Sequence, residues 1–443
     1  MGIFSSLNRE QKEALGLLQI GTFLEYFDLM LYIHMAVLLN DLFFPQTDPH
    51  TTSLLAALAF CSTYIMRPVG ALIFGWVGDY IGRKSTIIIT TVMMSISCIV
   101  MANMPTYVQI GITSAWIVTF CRIAQGMSSM GEIIGAQIYI AESIPRPVSY
   151  PAVAFINVSA SLGALVAVGI AALVTSFFLS WRFAFWIGAG IAVIGAVART
   201  RLRETPEFLE MKRQELKMSL AESNKTLSKK DRQPPKLSWR ERFKFKNLRS
   251  FFLIYCGWPL TFYLAFIYFS PMLKEDFGYT SEKVIMHNFF LSVVLLIAEF
   301  CFAALCMRIH PIKIVKVKSM LALVLMVLLP FLINIIESPT HLFLIQSCLL
   351  ILSLTAMPAV SILMYHLPIS QRFTLASSLY AVAYALMYVI TSFGLAYLGN
   401  YFGAFGLWFI TLPVALAYVY GVGYFERLER RTGHLLKPLY KAS

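Results

Sequence analysis

The stretch Leu18-Gln-Ile-Gly-Thr-Phe-Leu-Glu25-Tyr-Phe-Asp28-Leu-Met-Leu-Tyr32 lies inside an apolar run over about 15–39. A run of that length spans a bilayer as one helix. Yet Glu25 and Asp28 stand near its middle, where a carboxylate costs roughly 2.5–3.5 kcal/mol to insert. Residues three apart share one helical face, and Tyr32 continues that face a turn further on. Lipid cannot solvate it, so the face must meet a water-filled cavity or a cationic partner.

The rest of the chain has the same character. Of 443 residues, 58% are hydrophobic and 13% charged, more apolar surface than a soluble fold can hide. Twelve runs fit membrane spans: about 15–39, 53–76, 85–104, 110–138, 149–178, 183–199, 250–272, 284–307, 313–335, 341–364, 373–397 and 401–424. The expected class is an all-α polytopic membrane protein, with the lipid bilayer as its surroundings. The net charge of +13 does not point to nucleic acid, because Lys and Arg gather in alternate loops: Arg83 and Lys84, Arg146, the 200–249 segment, Arg308 to Lys318, Arg372, and Arg427 to Arg431. By the positive-inside rule both termini are expected in the cytoplasm, with the chain multi-pass in a cell membrane, the bacterial inner membrane in particular. The first run is too long for a signal-peptide core, so no cleavable leader is expected. The seven cysteines fall in or beside spans without metal or redox spacing, and no metal and no cofactor is expected.

Between Arg199 and Arg249 the pattern breaks, with sixteen Lys/Arg against seven Asp/Glu and the pair Pro234-Pro235. This linker separates six spans from six. The expected organisation is a six-helix bundle over 1–199, a linker over 200–249, a second six-helix bundle over 250–425 and a basic tail over 426–443. Thr205-Pro206-Glu207 reads as a helix start, with Thr as N-cap and Pro at the first helical position, so the linker should carry an amphipathic surface helix. Two six-helix halves imply a solute site between them near the midplane.

After the second run comes Gly75-Trp-Val-Gly-Asp79-Tyr-Ile-Gly82-Arg83-Lys84. Gly82-Arg-Lys-Ser is no phosphate loop, because Arg83 interrupts the spacing and no strand precedes it. The physical reading is a hinge where glycines allow close approach and Asp79 and Arg83 form a charge pair. The pattern G-x-x-x-D-x-x-G-R-K resembles the signature loop of the major facilitator superfamily. Glu25-Tyr-Phe-Asp28, Arg67-Pro-Val-Gly70, the run from Arg122 to Glu132 and Arg203-Glu-Thr-Pro-Glu-Phe208 narrow the resemblance to its metabolite:proton symporter family. Its members carry proline and betaine, 2-oxoglutarate, shikimate or citrate. The C-terminal half departs from the family pattern: Cys306-Met-Arg-Ile-His-Pro-Ile-Lys313 lacks the acid and glycines, and only Pro368 and Arg372 remain of the later motif.

The resemblance implies two six-helix bundles that alternate access to a solute, driven by the proton gradient and acting as a monomer. It implies that Asp28 pairs with Arg122, with Glu25 a second proton-coupling residue. Arg67 and Arg122 suit a carboxylate, which a guanidinium binds in bidentate fashion; Tyr32 and Gln125 share the site. Trp258, Tyr263 and Tyr384 are expected on the opposite wall, where Tyr380, Tyr384 and Tyr388 recur every four residues and could cage a cationic headgroup. Gly75, Asp79, Gly82, Arg83 and Glu142 are expected to form a cytoplasmic gate. Glu132 reads as a helix-packing residue, and Glu299 as the one acid deep in a C-terminal span. No deep cation is expected in that half, which tilts the solute toward a zwitterion or monocarboxylate over a dicarboxylate. The alternative is an uncoupled facilitator or exchanger of organic acids or sugars. An enzyme would need a His, Asp or Cys cluster or a zinc motif, and none is present.

Overall fold

The computed structural model describes residues 6–44, 63–176, 180–226 and 245–435. Among them there is no strand. The first half contributes α1 (Arg9–Phe43), α2 (Arg67–Tyr80), α3 (Arg83–Asn103), α4 (Ile112–Ser143), α5 (Ser149–Ser176) and α6 (Trp181–Arg199). The start of the second expected span, at 53–62, lies outside the described residues. The linker helix runs Pro206–Thr226, beginning at the proline. Thr205 does not spend its hydroxyl on a cap: it donates to Glu142 at 2.7 Å.

The second half contributes α7, which starts at Phe245–Tyr255 and continues through Gly257–Phe262, a π-helical turn Tyr263–Tyr268 and Ser270–Glu275. Then come α8 (Ser281–Leu305), α9 (Pro311–Ile333), α10 (Pro339–Ile351, resuming as Val360–Tyr365), α11 (Arg372–Val389, with further turns to Phe402) and α12 (Trp408–Arg431). Among the described residues, eight helical segments are each long and apolar enough to cross a membrane. Of the other four expected spans, the second is described only in part and the tenth is broken. The sequence reads the tenth as one run, but α10 unwinds before Pro358. In lipid such backbone survives only when satisfied inside the protein. Here Leu354 N–H donates to the Thr261 hydroxyl at 3.3 Å, and Tyr418 donates to the Thr355 carbonyl at 2.5 Å.

The packing order follows from which faces are small. α1 lies along α5, α2 along α11 and α5 along α8, the last two pairs joining the six-helix bundles. A methyl on Gly163 would stand 2.1 Å from the Phe23 carbonyl, and one on Gly75 would stand 2.7 Å from the Thr374 Cα. Glycine is what lets these backbones touch. The outer faces carry exposed Ile73, Trp76, Phe120, Phe183, Val324 and Leu416, apolar side chains that suit lipid. Cys98, Cys121, Cys256 and Cys306 are buried, while Cys301 and Cys348 face outward.

Candidate functional site: a tyrosine-walled cavity beside buried charges

Four helices, α1, α2, α4 and α6, bring the charged residues of the first half together. Asp28 and Arg122 do not form the ion pair expected of them. Gln125 stands between, its Nε2 donating to Asp28 Oδ2 at 2.5 Å and its Oε1 accepting from Arg122 Nη1 at 2.9 Å. The cause is spacing: Arg122 and Gln125 are three apart on α4 and share a face, and an amide presents donor and acceptor together. Arg122 also lies over the Tyr32 ring, 4.1 Å from its centre. One turn away, both carboxylate oxygens of Glu25 are buried without a hydrogen-bond partner. The charges that act on Glu25 are Glu132, Arg67 and Arg199.

Glu132 is held by Arg199, the last residue of α6, and by Thr91. Arg199 is fully buried against Gly21, where any side chain would collide with its guanidinium. Sequence reading missed this arginine, because at the end of an apolar run it looks like a topology signal. Arg67 meets neither Glu25 nor Glu132 in an ion pair. Its guanidinium lies 4.6 Å from the centre of the Tyr64 ring, and it opens into a cavity of about 200 Å³ between the bundles. Tyr26, Tyr64, Tyr380, Tyr384 and Tyr388 wall that cavity with Trp258. Tyr380 and Tyr384 stack with centres 4.0 Å apart, and Tyr64 and Tyr388 lie 4.8 Å apart.

Trp258 and Tyr384 line the cavity. Tyr263 does not line the cavity; Phe262 and Phe266 do. Positions 258, 262 and 266 recur every four residues on one helical face, and 263 points about 100° away. Tyr32, Arg122 and Gln125 do not line the cavity; they form a separate buried cluster with Asp28. Tyr26 and Tyr64 were not anticipated, although Tyr26 lies inside the Glu25–Asp28 stretch itself.

At the end where the basic loops gather, the halves interlock. Arg83 Nη1 reaches Asp79 at 3.0 Å, and its Nη2 reaches Glu142 at 3.1 Å and the Ile369 carbonyl at 2.9 Å. Asp79 in turn accepts from the backbone N–H groups of Phe373 and Thr374, at 3.1 and 2.8 Å. Arg372 Nη1 reaches Glu142 at 3.1 Å and Glu207 at 2.9 Å. Gly82 has φ +145°, and any side chain there would strike Glu204, which accepts from Arg83 N–H. Burial raises the Glu204 carboxyl above its ordinary range, against the backbone N–H groups of Thr205, Lys84 and Arg83.

A second lock replaces the motif missing from the C-terminal half. Glu429 is buried, with His366 Nε2 at 2.7 Å, Arg146 at 3.7 Å and His310 Nε2 at 3.9 Å. Arg146 stacks on the Tyr365 ring, 3.7 Å from its centre. Tyr365 crosses back to donate to the Ala141 carbonyl at 2.7 Å. Among the described residues no group of three His, Cys, Asp or Glu could hold a metal.

Two six-helix bundles closing on a cavity between them, with charges buried beside it, define an all-α polytopic membrane fold. The sequence profile of the Major Facilitator Superfamily matches residues 18–370, and the chain belongs to that family. It is 28% identical over 288 residues to a proline/betaine transporter of Salmonella typhimurium, covering 62% of this chain and 55% of that one. It is 36% identical over 198 residues to a putative metabolite transport protein of Haemophilus influenzae, covering 43% and 44%. It is 33% identical over 204 residues to the proline/betaine transporter of Escherichia coli K12, covering 44% and 41%. The chain spans about half the length of these curated relatives. In fold it is similar to a proton:xylose symporter bound to 6-bromo-6-deoxy-D-glucose, with TM-score 0.74, 16% identity and coverage of 94% and 95%. It is also similar to the fucose:proton symporter of E. coli, with TM-score 0.66, 15% identity and coverage of 95% and 99%.

Proposed function

We propose that the protein is a secondary active transporter that carries a small zwitterion, of the proline or betaine kind, together with a proton. The observation that carries the solute class is the cavity: one guanidinium, Arg67, ringed by five tyrosines and a tryptophan. A carboxylate pairs with Arg67 while a cationic ammonium rests against aromatic faces. The names of the relatives point the same way. Both walls of the cavity come from one chain, so a monomer is sufficient.

Coupling follows from the buried acids. Glu25 lacks any hydrogen-bond donor, while Asp28 is tied to Arg122 through Gln125. Protonation of Asp28 releases Gln125 and frees Arg122 to turn toward an arriving carboxylate. Loss of the proton restores the relay. Asp79, Arg83, Glu142 and Arg372 hold the cytoplasmic side shut, so the conformation described here is closed on that side.

The test is uptake of proline and glycine betaine into proteoliposomes, inside alkaline, with 2-oxoglutarate and shikimate alongside. Concentrative uptake of a zwitterion is expected. Asp28→Asn should abolish accumulation while counterflow exchange persists. Uptake indifferent to the pH gradient would leave an uncoupled facilitator, and a preference for 2-oxoglutarate would remove the zwitterion reading.

A further inference from the structure

The second half contains a pair of buried charges that the mechanism above leaves idle. Glu299 on α8 and Lys318 on α9 are 9% and 5% exposed. The sequence expectation of no deep cation in this half is therefore wrong: Lys318 lies two turns inside α9, though its place after Lys313 and Lys316 makes it read as a loop charge. The two groups act on each other electrostatically, yet no ion pair joins them among the described contacts. Lys318 Nζ donates to Ser353 Oγ at 3.3 Å and lies 4.6 Å from the centre of the Phe302 ring. An ammonium has three donors, and the hydroxyl takes one.

The position of the pair is informative. Asn288, Ser292 and Leu295 of α8 line the tyrosine cavity, and Glu299 follows on the same face, one turn further toward the Arg83 end. What separates it from the cavity is Ser161 of α5, which lines that cavity and donates its hydroxyl to Glu299. Ser161 belongs to one bundle, and Glu299 and Lys318 to the other. Ser353, the partner of Lys318, lies in the unwound stretch of α10. Backbone that leaves the helix at membrane depth typically borders a solute pathway.

We propose that Glu299 and Lys318 form a second binding station for the zwitterion, facing the cytoplasm and uncovered when the bundles part and carry Ser161 away. The ammonium of the solute then meets Glu299 and its carboxylate meets Lys318, each replacing an incomplete contact. The station lies below the Arg67 cavity on the route inward, and it rests on the zwitterion reading above.

The test measures half-saturation from each side, with proline and glycine betaine as probes, in right-side-out and inside-out membrane vesicles. Lys318→Met and Glu299→Gln should raise the half-saturation concentration on the cytoplasmic face about tenfold or more and leave the outer face unchanged. The double variant, which loses both charges together and leaves neither unpaired, guards against a folding defect and should show the same one-sided loss. Equal changes on both faces, or none, would overturn the station and leave the Arg67 cavity standing. If the wild type moves neither probe from either face, the zwitterion reading fails and the station fails with it.

Discussion

At the scale of single residues, the tyrosine cage is the most discriminating feature. If Tyr384 and Tyr388 contribute ring faces, Tyr→Phe at either position should keep transport of a quaternary ammonium solute. Tyr→Ala should weaken its binding by about 1–2 kcal/mol, roughly five- to thirtyfold. Competition by glycine betaine against labelled proline reads this directly. Phe and Ala variants that lose binding equally would show that the hydroxyls matter instead. Gln125 offers a second case. Gln125→Leu removes both hydrogen bonds of the relay and leaves Asp28 and Arg122 without their shared partner. We expect accumulation to fall at least tenfold, because an unsatisfied buried ionic group costs about 1–3 kcal/mol or more. Gln125→Glu would instead place a second acid beside Asp28 and should shift the pH dependence of uptake.

At the scale of elements, what the sequence discloses depends on whether a residue stands mid-span or at an edge. Glu25, Asp28, Arg122 and Arg67 are legible because a charge inside an apolar run has no bland explanation. Arg199 and Lys318 are equally buried, but each borders a basic loop, where charge is expected for topology. The break in α10 was hidden for another reason: an apolar run fixes burial, not helical continuity, and Pro358 was the one letter that signalled it. Tyr263 lies off the cavity wall; aromatic composition does not say which face looks inward. The close approaches were only half legible, since a glycine's neighbour cannot be read from its own helix. Gly163→Val on α5 should push α1 away and destabilise the protein by about 1–3 kcal/mol. Thermal unfolding in detergent would register it as a lowered midpoint, and an unchanged midpoint would mean that α1 and α5 pack less closely than described.

At the scale of the whole molecule, the two locks at the Arg83 end respond differently to acid. His310 lies between α8 and α9 and is buried, which lowers its pKa below the ordinary value of about 6.5. It faces Glu429, which favours its protonation, and Lys313, Arg146 and His434, which oppose it; the Tyr150 ring packs against its edge. A histidine with depressed pKa supports the closed contact fully above the ordinary range. Its support declines as pH falls below that range, since the open form then takes up the proton more readily. Protection from hydrogen exchange in the segment around Arg146, corrected for the intrinsic exchange rate at each pH, should therefore fall between pH 7.5 and pH 5.5, and His310→Phe should flatten that dependence. Glu204 works in the opposite sense. With its pKa raised, the seat of the linker on the start of α3, where its Arg83 and Lys84 donors lie, is favoured at low pH and weakens as pH rises through the raised value.

The contact between Asp79 and α11 is one of the contacts that would break if the two halves part at the Arg83 end. The first turn of any helix has backbone N–H groups with no partner inside the helix, and Gln371, which precedes α11, makes no side-chain bond to them. Asp79, from the other half of the molecule, fills that place. The helix α11 therefore borrows its N-cap from across the domain boundary, and every inward opening strips it. A cap contributes about 0.5–2 kcal/mol, a factor of roughly two to thirty in population. On the transporter reading, this cap alone would bias the closed state only modestly, leaving opening within reach of thermal motion.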